Sequence, residues 1–223
     1  MTLVGTFCDS GSQDAAVLCH GLTDYRDGFV LPQLAAALAA AGVSSLRLDM
    51  RGNGESEGDF EFANMRDEAE DMRAGVEWLR AQGLRALGLL GHSKSGSGVV
   101  LYAAKYDDVP RVVNVSGRFV MARGVKERFG SKVLERLERE GSVPMEWRAG
   151  RARQPLRWTL TKEDMANRLS LDMDGPARAV RRSQVLTVHG SDDETIPVED
   201  ARLYAERLAG GRLLAKVHAR TSK

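Results

Sequence analysis

The sequence has few cysteines, few histidines and no long apolar run. Its 223 residues include only Cys8 and Cys19, too few for a disulfide framework, and Cys19 lies in an apolar run where buried free thiols are common. No apolar run approaches the length that crosses a membrane, and no cluster of His, Cys, Asp and Glu has metal-ligand spacing. We therefore expect no disulfides, no membrane association and no bound metal.

The charges of the chain nearly cancel. Lys and Arg number 32 against 31 Asp and Glu, a net charge of +1. This balance gives no reason to expect binding to nucleic acid or to an anionic membrane surface. No glycine-rich loop fits a dinucleotide or phosphate site, so we expect no cofactor. Residues 1–6 contain no basic segment followed by an apolar core, and a cytoplasmic location is therefore expected.

Short aliphatic runs alternate along the chain with longer helical patterns. The runs typical of strands are 16–19, 45–48, 87–90, 111–115 and 184–188, and the helical patterns are 32–41, 61–82, 95–106 and 198–209. This alternation predicts an α/β fold with a mostly parallel sheet, and the consecutive apolar residues predict helices on both faces. Residues 3–7 could add an antiparallel edge strand. The length favours a single domain, residues 1–223.

The alternation breaks between residues 117 and 175. Charged helical sequence at 132–140 is followed by Trp147, Pro155 and Trp158 without a clear strand pattern. We therefore predict that 118–175 is a small helical cap inserted into the domain. Four arginines in this segment lie close together in the sequence: Arg148, Arg151, Arg153 and Arg157. They could attract an acidic substrate or partner, but a solvated helical face, with the two tryptophans packing the cap onto the core, is the favoured interpretation.

Residues 89–96 carry the most specific chemical signal. A strand pattern runs directly into a helix through the turn GHSKSG at 91–96, which is typical of a nucleophile elbow. Such a turn strains the serine backbone and projects the Ser93 hydroxyl above the sheet, and small neighbours let the strand and helix approach closely. Ser95 stands where the usual Gly-x-Ser-x-Gly motif has its second glycine. A purely structural turn is the alternative for this segment alone.

Three other strand patterns end in motifs. His20 precedes Gly21, which lets backbone amides approach a substrate, while the His20 side chain is expected to be structural. Asp49 and Arg51 follow the next strand and are expected to pair and tie down a loop. Downstream, residues 189–197 (HGSDDETIP) place carboxylates beyond the carboxyl end of a strand, where ligands bind open sheets and where an acid can orient a histidine.

In this order the segments resemble the α/β-hydrolase superfamily, more closely its serine aminopeptidase-like or cinnamoyl-esterase-like branch. The family motifs His-Gly, Asp-x-Arg-Gly-x-Gly-x-Ser, Gly-His-Ser-x-Gly-Gly and His-Gly-x-x-Asp-x-x-x-Pro have counterparts over nearly the whole chain. The resemblance implies that Ser93 is the nucleophile and that Asp193, rather than the solvated Asp192, is the acid of a catalytic triad. It also implies that the backbone amides of Leu22 and Lys94 form the oxyanion hole.

The base of this triad is the weakest point of the resemblance. A serine hydroxyl needs an adjacent imidazole, and the chain has four histidines. His20, His92 and His189 fall in the oxyanion strand, the elbow and the strand before the acid, which leaves His218. The family's Gly-x-x-His is absent, His218 comes a few residues early, and no final helix can follow the predicted last strand at 212–217. Either His218 has shifted into the role or an abnormal C-terminus leaves the triad without its base.

The sequence thus predicts a serine hydrolase that cleaves a small-molecule carboxylic ester through an acyl-enzyme on Ser93. Within enzymes, the alternative is a serine peptidase or amidase, because the same triad hydrolyses amides. Outside enzymes, the alternative is an impaired hydrolase fold with a binding or regulatory role. The irregular position of His218 supports this last alternative.

Overall fold

One large β-sheet organises the protein. The computed structural model describes residues 1–147, 155–209 and, as backbone, 212–215. The strands are β1 (Gly5–Cys8), β2 (Asp14–Cys19), β3 (Ser44–Leu48), β4 (Arg85–His92), β5 (Arg111–Val115), β6 (Ser142–Trp147), β7 (Leu156–Thr161), β8 (Gln184–His189) and β9 (Arg212–Ala215). The helices are α1 (Leu31–Ala40), α2 (Met65–Ala81), α3 (Lys94–Lys105), α4 (Val125–Glu140), α5 (Lys162–Ser170), α6 (Asp174–Ala179) and α7 (Val198–Arg207).

Within the described chain, seven strands form this sheet in the order β1-β3-β2-β4-β5-β8-β9. β1 runs antiparallel to β3, and the remaining neighbours are parallel. The predicted parallel sheet and its antiparallel edge strand are therefore confirmed. Because parallel strands share a carboxyl edge, the segments after β2, β4 and β8 emerge on the same side of the molecule.

Helices cover both faces of the sheet, and the residues of β2 show why its sequence is continuously apolar. Val17 and Cys19 lie in the buried cluster with residues of α2 and α3, whereas Ala16 and Leu18 pack with Leu31 of α1. Alternate side chains of a strand point to opposite faces, so both faces of β2 require apolar residues. The prediction of a doubly covered sheet is confirmed.

Helix α2 begins at Met65 rather than at residue 61 as the sequence predicted. Phe62, which precedes it, is 1% exposed and packs with its ring centre 5.0 Å from that of Phe129 and 6.2 Å from that of Trp158. The chain before Met65 is irregular, and it places this ring in a cluster remote in sequence. Tertiary packing therefore overrides the helical periodicity of the first turn.

The segment 118–175 is not purely helical, and the expectation that it contains no strand was wrong. Between α4 and α5, strands β6 and β7 form an antiparallel hairpin that pairs Trp147 with Leu156 and Ser142 with Thr161. Burial alternates along both strands, so one face is covered and the other is exposed. Pro144 obscured this period-2 pattern, because proline argues against a central strand but is compatible with a two-stranded ribbon.

The hairpin is joined to the rest of the protein through aromatic rings. The ring centres of Trp147 and Trp158 lie 5.0 Å apart, and Trp158 lies 5.2 Å from Phe60. Phe60 and Phe62 precede α2, so these contacts link the hairpin to the sheet-covering helices. This packing is what the two tryptophans led us to expect.

Candidate active site

Ser93 occupies a tight turn between β4 and α3. Its φ of 55° and ψ of −110° are strained for a residue with a side chain. Its backbone N–H donates to the carbonyl oxygen of Val115, 2.8 Å away on the next strand. A Cβ at Gly91 would collide with the carbonyl oxygen of Ser95, so strand and helix meet where the sequence predicted. The structure therefore contains the strand, turn and helix expected around Ser93.

The small residues after Ser93 have different reasons to be small. A Cβ at Gly96 would lie 2.7 Å from Oδ1 of Asn114 and 2.9 Å from the Cα of Gly117, which leaves no room for a side chain. Ser95, which replaces the usual glycine, is fully buried, and its Oγ has no hydrogen-bond partner among the described residues. The turn thus accommodates a Cβ at Ser95 but not at Gly96.

Gly21 brings the end of β2 against the turn. A Cβ at Gly21 would lie 3.2 Å from the Cβ of Ser93 and 3.0 Å from Nδ1 of His92. Leu22, the next residue, lines the same pocket as Ser93 and Lys94. The two residues whose amides were predicted to form the oxyanion hole are therefore brought together beside Ser93.

Two of the histidines are held in structural positions. Nδ1 of His20 donates to the carbonyl oxygen of Gly21 at 2.8 Å, and Nε2 accepts from the N–H of Met50 at 3.0 Å. Burial lowers the pKa of His20 to about 4, so the ring is neutral, in line with the structural role predicted for it. His189 is buried as well, and its Nε2 donates to the carbonyl oxygen of Ile196 at 2.7 Å.

His92 packs differently from these two. Its ring stacks on Phe29 with centres 4.0 Å apart and planes 14° apart. Burial lowers its pKa to about 4, against a smaller opposing effect of Asp193. His92 is thus neutral near pH 7 and engaged in an aromatic stack.

Asp193 lies in the loop after β8, at the carboxyl edge of the sheet. Oδ1 accepts the backbone N–H groups of Thr195 and Ile196, both at 2.9 Å, and the side chain is 4% exposed. Asp192 is exposed and accepts a hydrogen bond from Ser191 at 3.1 Å. Of the two adjacent acids, Asp193 is therefore the one whose carboxylate is fixed and shielded from solvent.

His218, the predicted base, lies outside the described residues. The last described residue, Ala215, pairs with His189 on β8. β9 thus runs beside the strand that leads to Asp193.

The loop at Asp49 is tied down by partners other than those predicted. The expected ion pair between Asp49 and Arg51 is wrong: Asp49 pairs with Arg26, and Arg51 pairs with Asp71 at 2.7 Å. Asp49 is fully buried and also accepts the N–H groups of Arg26 at 2.6 Å and Glu55 at 3.0 Å. The loop role of Asp49 stands, but its cation comes from a segment 23 residues earlier in the chain.

The side chain of Lys94 is a feature that the sequence reading missed. Its Nζ lies 2.8 Å from Oε1 of Glu68, and both side chains are buried. It also donates to the carbonyl oxygen of Glu61 at 2.8 Å and to Oδ1 of Asn64 at 2.5 Å. The sequence contained one indication that Glu68 is buried and needs a cation: it lies on the face of α2 that carries Met65, Met72 and Val76 into the core.

A small cleft, with a cavity volume of about 30 Å³, lies beside Ser93. Its lining combines Leu22, Phe62, Met65, Met121 and Ile196 with the charged residues Lys94, Arg118, Arg128 and Arg168. The basic run singled out in the sequence does not supply these arginines. Arg157 is exposed and pairs with Glu146 at 2.9 Å, and Arg148, Arg151 and Arg153 lie outside the described residues.

None of the helices in the described part of the chain is long and apolar enough to cross a membrane. The same residues contain no group of three or more His, Cys, Asp or Glu side chains arranged to hold a metal ion.

Comparison with known proteins finds one family and several relatives. The sequence model of the family described as serine aminopeptidase, S33 matches residues 11–173. A monoacylglycerol lipase from Mycolicibacterium smegmatis is 29% identical over an alignment of 231 positions, gaps included, that covers 94% of this chain and 81% of the relative. Among solved structures, the monoacylglycerol lipase of Paleococcus ferrophilus matches with a TM-score of 0.74 and 20% identity, over 100% of this chain and 91% of that one. The ferulic acid complex of Est1E from Butyrivibrio proteoclasticus matches with a TM-score of 0.72 and 20% identity, over 96% and 85% of the chains.

Proposed function

Because the chain belongs to the serine aminopeptidase S33 family of α/β-hydrolases, we propose that it is a serine hydrolase that cleaves carboxylic esters through an acyl-enzyme on Ser93. The observation that carries this proposal is the strained backbone of Ser93 in a turn too tight for a side chain at Gly91 or Gly96. Strain of this kind is maintained where it serves a function, because it costs stability. Here it presents a hydroxyl at the cleft.

The proposed reaction has two steps. Oγ of Ser93 bonds to the ester carbonyl carbon while an imidazole takes its proton, and the N–H groups of Leu22 and Lys94 donate to the oxyanion that forms. The carbon–oxygen bond to the alcohol then breaks, and the alcohol leaves with the proton. In the second step the imidazole takes a proton from water, which attacks the acyl carbon. The bond from that carbon to Oγ then breaks, and the imidazolium returns the proton to Oγ, which releases the carboxylic acid and free Ser93.

We assign the base to His218 and the acid to Asp193. His20 has both ring nitrogens engaged with backbone groups, and His189 uses Nε2 for a carbonyl oxygen. The His92 ring is stacked on Phe29. His218 is then the remaining histidine, and it follows β9, the neighbour of the strand that leads to Asp193. Two backbone N–H groups on Oδ1 fix the Asp193 carboxylate, as orientation of an imidazole requires.

The relatives and the cleft both support an ester as the substrate. The relatives described above include lipases and an esterase. The cleft carries apolar side chains from Leu22, Phe62 and Met121. We propose that 118–175 acts as a lid over this cleft within a single domain, because Arg128 and Arg168 reach the cleft from it. The substrate is then a small ester held between the sheet edge and the lid.

Labelling with a fluorophosphonate probe tests the proposal without knowledge of the natural substrate. We expect the wild type to be labelled and the Ser93→Ala and His218→Ala variants to remain unlabelled. Ser191→Ala removes an exposed hydroxyl of the same molecule and serves as the matched control that retains labelling. Turnover of 4-nitrophenyl butyrate, compared with an aminoacyl 4-nitroanilide, then separates an esterase from a peptidase.

Each result has a distinct meaning. A folded wild type that takes no label would overturn the hydrolase proposal and favour a binding role for the fold. Label on Ser93 that persists in His218→Ala would show that another group activates the serine. Faster cleavage of the anilide than of the ester would identify an amidase.

A further inference from the structure

Three arginine side chains reach the cleft beside Ser93 from separate parts of the chain. Arg118 follows β5, Arg128 belongs to α4 and Arg168 belongs to α5. A single basic stretch of sequence could be a solvated face, but here the fold brings three cations to one cavity. Their convergence therefore requires an explanation in terms of what the cavity holds.

Two of these arginines are buried with donors left over. Arg118 is 6% exposed, and its Nη2 donates to the carbonyl oxygen of Thr195 at 2.7 Å. Arg168 is 8% exposed, and its Cζ lies 4.6 Å from the centre of the Phe62 ring. Nη1 of Arg118 and Nε of Arg168 have no hydrogen-bond partner among the described residues. Buried donors without acceptors are costly, so a ligand acceptor that reached either of them would stabilise the folded protein.

The acids near these arginines have other partners. Asp200 pairs with Arg123, and Asp193 accepts the N–H groups of Thr195 and Ile196. Among the described residues, no ion pair includes any of the three cleft arginines. The segments 148–154, 210–211 and 216–223, which the structure does not describe, contain no Asp or Glu.

The electrostatic balance of the cavity is therefore positive. Burial, followed by the charges of Arg118 and Arg128, lowers the pKa of Arg168 to about 9. The guanidinium groups of Arg118 and Arg128 therefore disfavour the charge on Arg168, whereas Asp200 and Asp193 favour the charge on Arg118. A bound anion would relieve that repulsion, and a guanidinium can donate two parallel hydrogen bonds to a carboxylate or phosphate group.

From this geometry we infer that the cleft binds an anionic group, a carboxylate or a phosphate, through Arg118, Arg128 and Arg168, and that the ester cleaved at Ser93 carries that group. The inference rests on the proposed function for the position of the scissile bond. Beyond the proposed function, the inference states that the cleft prefers charged esters to neutral ones. Arg128 is the most open of the three and lies beside the Trp147 ring, with 5.7 Å from its Cζ to the ring centre. It would meet the anion first.

The test compares matched esters on the folded protein. Three 4-nitrophenyl esters differ only at the far end of the acyl chain. Mono-4-nitrophenyl glutarate carries a carboxylate there, 4-nitrophenyl 4-phosphonobutanoate carries a phosphonate, and 4-nitrophenyl pentanoate is neutral. We expect kcat/KM to be higher for a charged ester, and the charged-to-neutral ratio to fall about 10- to 100-fold in Arg168→Met and in Arg128→Gln. Arg157→Gln, an exposed arginine outside the cleft, should leave the ratio unchanged. Comparing the carboxylate with the phosphonate identifies which anion the cavity fits.

A binding measurement separates this inference from the proposed function. Calorimetry with glutarate monomethyl ester and with inorganic phosphate is carried out on Ser93→Ala, alone and combined with Arg128→Gln. Binding that the second substitution weakens supports the anion site even if the wild type cleaves no ester. Equal kcat/KM for charged and neutral esters, or binding of neither anion by a folded Ser93→Ala, would overturn the inference. Arg128→Gln keeps the test decisive if Arg168→Met fails to fold, because Arg128 is exposed.

Discussion

The ammonium group of Lys94, the residue after Ser93, lies 2.8 Å from the carboxylate of Glu68, and both side chains are buried. The pair joins the first residue of α3 to α2. Removal of one partner from a buried ion pair leaves the other uncompensated, which is far more costly than loss of a surface pair. The position of the Ser93 turn therefore depends on a charge pair as well as on apolar packing.

Lys94→Met tests this dependence. We expect it to lower the free energy of unfolding by about 3 to 5 kcal/mol, measured by urea denaturation, because Glu68 then lies buried without its cation. Lys105→Met is the matched control, since Lys105 pairs with Glu70 between the same two helices at the same 2.8 Å but at the surface. That variant should lose at most about 1 kcal/mol. Equal losses would show that the buried pair has no special role.

The loss in Lys94→Met should also depend on pH. Burial raises the pKa of Glu68, and Lys94 opposes that shift. Without Lys94 the pKa rises further, so the folded variant retains a proton that the unfolded chain releases, and its stability increases as pH falls. The deficit should therefore be smaller near about pH 5 than near about pH 8. A deficit that grows on acidification would contradict this account.

Gly21 is predicted to be required for activity more than for stability. Its φ is compatible with a side chain, but a Cβ would press on Ser93 and His92 at 3.2 and 3.0 Å. Gly21→Ala should displace the Ser93 turn and reduce ester turnover about 100-fold, since small misplacements of reacting groups carry such penalties. Gly175→Ala is the control, because a Cβ there meets nothing within 4 Å. Full activity in Gly21→Ala would show that the Ser93 turn accommodates the added Cβ without displacing Ser93 from its reactive position.

Local patterns were sufficient to predict the sheet and the Ser93 turn. Strand periodicity and the small residues around Ser93 reflect local sterics, and these are visible in a short stretch of sequence. The β6–β7 hairpin was missed because Pro144 interrupts a short pattern whose stability comes from rings elsewhere in the chain. The partner of Asp49 was misassigned because Arg26 lies close in space but not in sequence.

The cleft arginines show a second limit of local patterns. Arg148, Arg151, Arg153 and Arg157 attracted attention because they cluster in the sequence, yet Arg157 is exposed. Arg118 and Arg168 are isolated in the sequence, and only packing shows that they are buried in one cavity. Charged residues that cluster in the sequence are typical of a solvent-exposed surface. Whether charged residues from distant segments meet in one cavity depends on the fold.

The two adjacent acids after β8 should differ sharply in their effect on rate. Asp193→Asn keeps the shape of a side chain that accepts two backbone N–H groups but removes its charge. We expect kcat for an activated ester to fall roughly 1,000- to 10,000-fold, because the proposed base, His218, would lose the acid proposed to orient it. Asp192→Asn, at an exposed side chain, should change kcat by less than about twofold. The opposite ranking would assign the acid to Asp192.

The loop that follows β3 offers a test of the pairing around Asp49. Asp49 is fully buried and receives the guanidinium of Arg26, whereas Arg51 pairs with Asp71. A double-mutant cycle of Arg26→Met with Asp49→Asn should therefore give a coupling energy of about 1.5 to 3 kcal/mol in urea denaturation. The cycle of Arg51→Met with Asp49→Asn should give less than about 0.5 kcal/mol, as for groups without a shared contact. Strong coupling in the second cycle would restore the Asp49–Arg51 pair expected from the sequence, and with it a loop tied down by neighbours in the chain.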